Sequence, residues 1–77
     1  MAEAFVLITC DLGKEMQIIH DLKNIDDVKE VQATVGVYDV IAKIESDTER
    51  ELKNTIQSQI LGMKPIHGIL TLQSISG

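Results

Sequence analysis

A tetrapeptide near the middle of the chain, Gly36-Val37-Tyr38-Asp39, carries residue types that can contact a bound molecule. Glycine adopts a positive φ without steric cost and lets another backbone approach closely. Beside it lie a phenol and a carboxylate, and Tyr38 is the only tyrosine of the chain. The same residues also suit an ordinary structural hairpin, in which the tyrosine ring packs on the sheet and Asp39 accepts hydrogen bonds from nearby amides. Residue types alone leave both interpretations open.

Three further residues could bind a metal or take part in catalysis: Cys10, His20 and His67. Thiolate and imidazole are usual zinc ligands, but no pair of these residues has the spacing of a zinc motif. For acid–base chemistry the candidate pairs are His20 with Asp11 and His67 with Asp39, and neither forms a recognised catalytic motif. We therefore expect no metal, no other cofactor and no enzymatic activity.

Strands on both sides must position the tetrapeptide. Residues 31–35 and 40–44 each alternate apolar and polar side chains, which predicts two half-buried strands joined by a tight turn at residues 36–39. Residues 3–11 predict another strand, with Ala4, Val6, Ile8 and Cys10 on one face and Phe5 and Leu7 on the other. Because apolar residues occupy both faces, we expect helices to cover one face and a partner sheet to cover the other.

Two amphipathic helices are predicted between the strands. Residues 13–24 place apolar side chains at helical spacing, with charged residues opposite. A second helix begins at one of two possible capping boxes, Ser46 with Glu49 or Thr48 with Glu51, and ends near Gly62 and Pro65. The apolar stripes of the two helices are Ile18, Ile19, Leu22 and Ile25, and Leu52, Ile56, Ile60 and Met63.

A fourth strand is predicted over residues 66–75. Its alternation assigns Ile66, Leu70 and Leu72 to one face and Ile69, Thr71, Gln73 and Ile75 to the other. The order βαββαβ, with right-handed crossovers, predicts an α+β fold of the ferredoxin-like type, in which a four-stranded antiparallel sheet carries two helices on one face. The free face of this sheet invites pairing with a second copy.

Length and composition limit the architecture. The 77 residues predict a single domain with a thin core, yet 44% of them are hydrophobic and the single cysteine allows no disulfide within the chain. Small domains without disulfides or metals commonly gain stability by association. We therefore expect an obligate oligomer.

The charge and the start of the sequence argue against nucleic-acid binding, a signal peptide and a membrane span. Twelve acidic and seven basic residues give a net charge of −5, and the lysines are scattered singly, so direct nucleic-acid binding is not expected. The start of the chain has no positively charged region before its apolar run, which is too short and interrupted for a signal peptide or a membrane span. One cysteine and no export signal make the cytoplasm the expected compartment.

The ordered set of motifs resembles the ligand-binding domain of the Lrp/AsnC regulators, called the RAM domain, in a stand-alone form over residues 1–77. The resemblance rests on Ala4-Phe5-Val6-Leu7-Ile8, Gly13-Lys14-Glu15, Ile25-Asp26-Asp27-Val28-Lys29-Glu30 and Gly36-Val37-Tyr38-Asp39-Val40-Ile41-Ala42-Lys43-Ile44. The last of these is similar to the Gly-x-Tyr-Asp hairpin of the family and the apolar strand that follows it.

The resemblance implies a homodimer with sheets stacked face to face as an α/β barrel, and rings of such dimers. It also implies a small effector, typically an amino acid, bound between dimers near Gly36, Tyr38 and Asp39, with Ser74 as a further contact. An amino acid needs an anion for its ammonium, for which Asp39 is suited, and amide donors around Gly36 for its carboxylate. Tyr38 would supply an apolar wall with a polar tip.

Two departures from the family pattern leave alternatives open. The family often ends in a Gly-Val-x-x-Thr-x-Thr run. In this sequence Leu72 replaces the first threonine of the run, and only Ser74 keeps a hydroxyl group in register. His67 replaces a small turn residue of the family. The DNA-binding half of full-length relatives is absent from this sequence, so the domain acts alone or by assembling with a full-length relative. The alternative functions are a structural assembly module without a ligand and a small dimeric α/β-barrel enzyme.

Overall fold

The computed structural model describes residues 1–73 as one four-stranded sheet and two helices. The elements are β1 (Ala2–Cys10), α1 (Glu15–Lys23), β2 (Val28–Ala33), β3 (Val40–Ser46), α2 (Glu49–Asn54), a π-helical segment (Thr55–Ile60) that continues α2, and β4 (Ile66–Gln73). The strands lie in the order β2-β3-β1-β4, and every neighbouring pair is antiparallel. The predicted ferredoxin-like βαββαβ fold is thereby confirmed.

The core lies between one face of the sheet and the two helices. Strands β1 and β3 alternate buried and more exposed residues, because successive side chains of a strand point to opposite faces. Helix α1 contacts β2 and β3, while α2 contacts β1 and β3. The side chains that fill this layer include Val6, Ile8, Val40 and Ile44 from the sheet and Ile18, Leu22, Leu52 and Ile60 from the helices.

The opposite face of the sheet carries no helix and is apolar at its centre. We call it the open face, and its apolar members are Phe5, Leu7, Ile41, Leu70 and Leu72. In the register of the sheet, Phe5 lies opposite Leu72, and Leu7 lies opposite Leu70. Phe5, Leu70 and Leu72 are 45%, 44% and 51% exposed. Two rows of large apolar side chains are thus exposed side by side, as the alternation of β1 predicts.

The hairpin between β2 and β3 differs from the prediction. Strand β2 ends at Ala33 rather than at Val35, which is fully exposed. The Thr34 amide donates to the Asp39 carbonyl oxygen over 2.9 Å, and the Thr34 hydroxyl donates to the Tyr38 carbonyl oxygen over 2.6 Å. These bonds close a hairpin loop of four residues, 35–38, and such side-chain bonds to the backbone compete with continuation of a strand.

Strand β4 also departs from the predicted alternation. A register shift between Thr9 and Cys10 places Gly68 opposite Thr9 but Ile66 opposite Cys10. Ile66 therefore packs against the core, whereas Leu70 lies on the open face. The prediction that Ile66 shares a face with Leu70 and Leu72 was wrong, because a bulge interrupts the two-residue period.

Helix α2 begins with the second of the two capping boxes. Thr48 is the N-cap, and its hydroxyl accepts from the Glu51 amide over 3.1 Å. Ser46 instead lies in the interior, and its hydroxyl donates to the Asp27 carboxylate over 2.6 Å. Thr55 donates to the same oxygen of Asp27 over 3.1 Å. Asp27, just before β2, thus joins the end of β3 to the start of the π-helical segment.

The π-helical segment keeps the predicted apolar stripe facing inward. The Leu61 amide donates to the Ile56 carbonyl oxygen over 3.0 Å, five residues back along the chain. Leu52, Ile56 and Ile60 are four residues apart, a spacing that drifts around an α-helix of 3.6 residues per turn. A wider turn reduces this drift, so Ile56 and Ile60 both stay buried. No helix within residues 1–73 is long and apolar enough to cross a membrane.

Candidate functional site

The hairpin loop of residues 35–38 contains Gly36 in a conformation that glycine adopts without steric cost. Gly36 has a φ of 142°, a region that side chains with a Cβ rarely adopt. Val35 and Val37 are exposed on either side of it, while Tyr38 is half-buried. The loop therefore projects its tip away from the sheet and keeps the tyrosine near its base.

Asp39 joins this loop to the end of β1. Its amide donates to the Ile8 carbonyl oxygen over 2.9 Å, and its carboxylate oxygen Oδ2 accepts from the Cys10 amide over 2.9 Å. Ile8 and Val40 form the last residue pair between β1 and β3, so the Asp39 side chain takes the place of a ladder partner for Cys10. Asp39 does bond a nearby amide, as the structural interpretation of the hairpin predicts, and one of its two oxygens is engaged.

Backbone donors are concentrated in the loop. Within residues 1–73, the amides of residues 35–38 donate no hydrogen bond to another protein group. Consecutive unengaged amides in a turn can bind a carboxylate or another anion. The loop thus offers donors for an anionic group next to the Asp39 carboxylate.

Carboxylates surround Cys10 at this end of the sheet. Burial raises the pKa of the Cys10 thiol, and the nearby Asp39 carboxylate raises this pKa further, with additional contributions from Glu15 and Asp11. The negative charges oppose formation of a thiolate in their midst. This end of the molecule therefore combines free amide donors on the loop with several carboxylates near Cys10.

Removing the charge of Asp39 should make the Cys10 thiol easier to ionise. In Asp39→Asn, the pH midpoint of the rate of Cys10 alkylation by iodoacetamide should fall below that of the wild type, because the thiolate is the reacting species. Folding raises the pKa of the Cys10 thiol above its unfolded-state value. The protonated thiol therefore contributes to the stability of the fold at neutral pH, and this contribution is lost as the pH rises through the folded-state pKa. The matched control is Asp26→Ala, an exposed aspartate elsewhere, and equal midpoints in wild type and Asp39→Asn would contradict the assignment.

The histidines are arranged differently from either candidate catalytic pair. His67 Nε2 contacts Asp11 Oδ1, so Asp11 pairs with His67 rather than with His20, and His67 is not paired with Asp39. His20 is exposed on α1. Among residues 1–73, no group of three or more His, Cys, Asp and Glu side chains is placed to hold a metal ion. The His67–Asp11 pair escaped prediction because it joins positions far apart in sequence through the bulged register of β1 and β4.

Four exposed apolar side chains lie at the same end of the molecule as the hairpin loop. Two of them lie between the end of β1 and the first turn of α1, and the other two lie on the hairpin loop. They are Leu12, Met16, Val35 and Val37, with exposed fractions of 98%, 73%, 105% and 83%. We call this set the apolar tip. Exposed apolar groups of this kind mark surfaces of interaction when they lie together.

Three of the four predicted site residues belong to this arrangement. Gly36, Tyr38 and Asp39 lie on the loop and at its base, and Cys10 joins them through its amide bond to Asp39. Ser74 lies outside the described residues. Cys10 and Asp11 were not predicted as part of the site, because their proximity to the loop depends on the pairing of β1 with β3.

Comparisons with known proteins place the fold and the sequence in one family. The family model of the Lrp/AsnC ligand binding domain matches residues 3–76. The HTH-type transcriptional regulator FL11 of Pyrococcus horikoshii is 29% identical over 73 residues, covering 92% of this chain and 48% of that protein. The chain thus spans about half the length of the curated relatives that it matches.

Solved structures agree with this assignment. The crystal structure of FFRP-DM1 superposes with a TM-score of 0.94 at 35% sequence identity and covers 97% of this chain and 100% of that chain. The structure of E. coli AsnC superposes with a TM-score of 0.90 over 99% of this chain and 52% of that chain, and its 19% identity supports the fold alone. The chain belongs to the family of Lrp/AsnC ligand-binding domains.

Proposed function

We propose that this domain binds a small effector, an amino acid, and assembles into oligomers in the manner of a transcription-regulator module. It acts alone or together with a full-length regulator, has no catalytic role and does not itself bind nucleic acid. The family match over residues 3–76 and the transcription regulators among its relatives support the regulatory part of this proposal. The cytoplasm remains the expected compartment.

The observation that carries the ligand proposal is the pairing of free amides with nearby negative charge. The amides of residues 35–38 can bind the carboxylate of an amino acid, and the Glu15 and Asp11 carboxylates near Cys10 can attract its ammonium group. Tyr38 at the base of the loop offers an apolar wall with a polar tip. Gly36, Tyr38 and Asp39 are the proposed site residues, together with Ser74 as the sequence predicts.

The open face supports a dimer whose two sheets stack as an α/β barrel. Its apolar rows need cover, and a second copy of the same face supplies it. A groove of about 250 Å³ between Phe5, Ile41 and Lys43 offers room for a partner side chain. The Lys43 ammonium lies 6.0 Å from the centre of the Phe5 ring and 4.0 Å from Glu45, so charge borders the apolar rows.

The apolar tip supports association of dimers into a ring. It lies on two loops and the first turn of α1 at the end of the sheet rather than on the open face, so both surfaces can be used at once. Contact between tips of neighbouring dimers would bury these side chains and place the hairpin loop at a subunit boundary, where ligand sites commonly form.

A thermal-shift panel of the twenty amino acids at millimolar concentration tests the ligand proposal. A ligand present at about 100 times its Kd stabilises a protein by roughly 2.7 kcal/mol, which moves the midpoint of so small a domain by several degrees. We expect one or a few amino acids to produce such a shift. Tyr38→Ala should reduce it strongly, because the substitution removes the wall at the base of the loop.

Lys53→Ala, an exposed position on α2, is the control and should keep the full shift. A panel that is flat for the wild type would contradict the ligand proposal and favour the structural assembly module. A shift of equal size in wild type and Tyr38→Ala would place the effector elsewhere on the domain.

A further inference from the structure

Asp39 makes three hydrogen bonds that fix the hairpin loop in place. Its carbonyl oxygen accepts from the Thr34 amide over 2.9 Å, which closes the loop. Its amide donates to the Ile8 carbonyl oxygen over 2.9 Å, and its carboxylate accepts from the Cys10 amide over 2.9 Å. Backbone and side chain of one residue thus bind the loop to two neighbouring positions of β1.

The carboxylate bond lies where the sheet itself provides no partner. Pairing between β1 and β3 ends at Ile8 and Val40, two residues before Cys10. The Asp39 carboxylate oxygen supplies the acceptor that a backbone carbonyl oxygen supplies elsewhere in the sheet, so the Cys10 amide is not left without a partner. Without it, only the backbone bonds of Asp39 and the Thr34 hydroxyl would hold the base of a loop whose tip needs a positive φ at Gly36.

The end of β1, which donates this bond from Cys10, is also bonded to the turn before β4. Asp11 follows Cys10, and its amide donates to the Pro65 carbonyl oxygen over 2.8 Å in the turn before β4. The Asp11 side chain contacts His67 at the start of that strand. The hairpin loop is therefore attached through Asp39 to a segment that is itself held on its other side.

We infer that Asp39 is a positioning residue of the proposed effector site: its carboxylate holds the loop amides in place through Cys10, and its hydrogen-bond acceptor rather than its charge is what the site requires. This inference rests on the proposed function. Asn at this position keeps an acceptor oxygen of nearly the same shape but loses the charge, and Ala loses both. The two substitutions therefore separate a positioning role from a role as counter-ion of the ammonium group.

Hydrogen exchange of the Cys10 amide, measured by NMR on the full chain without added amino acid, tests the bond directly. We expect Asp39→Ala to speed the exchange of this amide by about tenfold or more, since its acceptor is removed. Asp39→Asn should stay within about threefold of the wild type, because its side-chain oxygen still accepts. Asp26→Ala, which removes an exposed aspartate away from the loop, should change nothing.

The amino-acid panel applied to the same variants completes the test. The amino acids that shift the wild type should also shift Asp39→Asn but not Asp39→Ala. Two results would overturn the inference. The first is unchanged hydrogen exchange of the Cys10 amide in Asp39→Ala. The second is loss of the thermal shift in Asp39→Asn while its Cys10 amide stays protected, because the charge of residue 39 would then be the requirement. If no amino acid shifts the wild type, the proposed function fails, and exchange at Cys10 alone decides whether Asp39 positions the loop.

Discussion

Asp27→Ala should lower the free energy of unfolding by about 2–4 kcal/mol, because it leaves two interior hydroxyl groups without an acceptor. Ser46 and Thr55 are each only 4% exposed, and both donate to Asp27 Oδ2, over 2.6 and 3.1 Å. Within residues 1–73, no buried side-chain polar atom lacks a partner, so the substitution would create a defect that the native fold avoids. Urea unfolding at one fixed protein concentration measures the change.

Two neighbouring substitutions serve as controls for this prediction. Asp26→Ala removes an exposed carboxylate one residue earlier and should cost less than about 0.5 kcal/mol. Asp27→Asn keeps one acceptor oxygen, so its loss should fall between those of the two alanine variants. Equal stability of Asp27→Ala and Asp26→Ala would show that water replaces the carboxylate and that the interior connection contributes little.

Leu70→Glu should convert the proposed dimer into a monomer at micromolar concentration. Leu70 lies opposite Leu7 on the open face and is 44% exposed in the single chain. A second sheet stacked on this face would bury two glutamates without partners, one from each copy, and an unpaired buried charge is strongly unfavourable. We expect the dissociation constant of this dimer contact to rise by about 100-fold or more, which light scattering detects as a fall in mass relative to the wild type.

Leu61→Glu is the matched control. Leu61 is 49% exposed, follows the π-helical segment and belongs to neither β-sheet face. The same change of side chain at nearly the same exposure should leave the mass unchanged. The dimer proposal fails if the wild type already has the mass of a monomer, or if Leu70→Glu keeps the mass of the wild type.

Much of this fold follows from local patterns that can be read along the sequence. The alternation in β1 and β3 and the helical spacing of Ile18, Ile19 and Leu22 identify the core, because each pattern matches the geometry of its own element. The glycine conformation at position 36 is likewise a local property, since the preference for positive φ belongs to the residue itself.

Errors arose where specific hydrogen bonds or strand pairing override the alternation of apolar and polar residues. Val35 continues the alternation of β2, yet the bonds from Thr34 to Tyr38 and Asp39 end the strand before it. Ile66 was assigned to the wrong face because the bulge at Thr9 and Cys10 depends on the pairing partner.

The candidate site was predicted in part for the same reason. The sequence identified Gly36, Tyr38 and Asp39 as neighbours on a turn, which requires only local geometry. The bond from Cys10 to Asp39 and the bonds from Ser46 and Thr55 to Asp27 link residues that only the finished sheet brings together. No pattern along the chain encodes such contacts without the strand register.

The central position of β1 also bears on how the domain is made during synthesis. This N-terminal strand lies between β3 and β4, and its pairing with β4 joins residues such as Phe5 and Leu72 across most of the chain. A nascent chain that has left the ribosome only as far as β3 therefore exposes one edge of β1 and lacks one row of the open face. Long-range pairing of this kind forms slowly, so chaperones would meet an incomplete sheet first. Subunits able to associate through the open face would appear only after translation has passed β4.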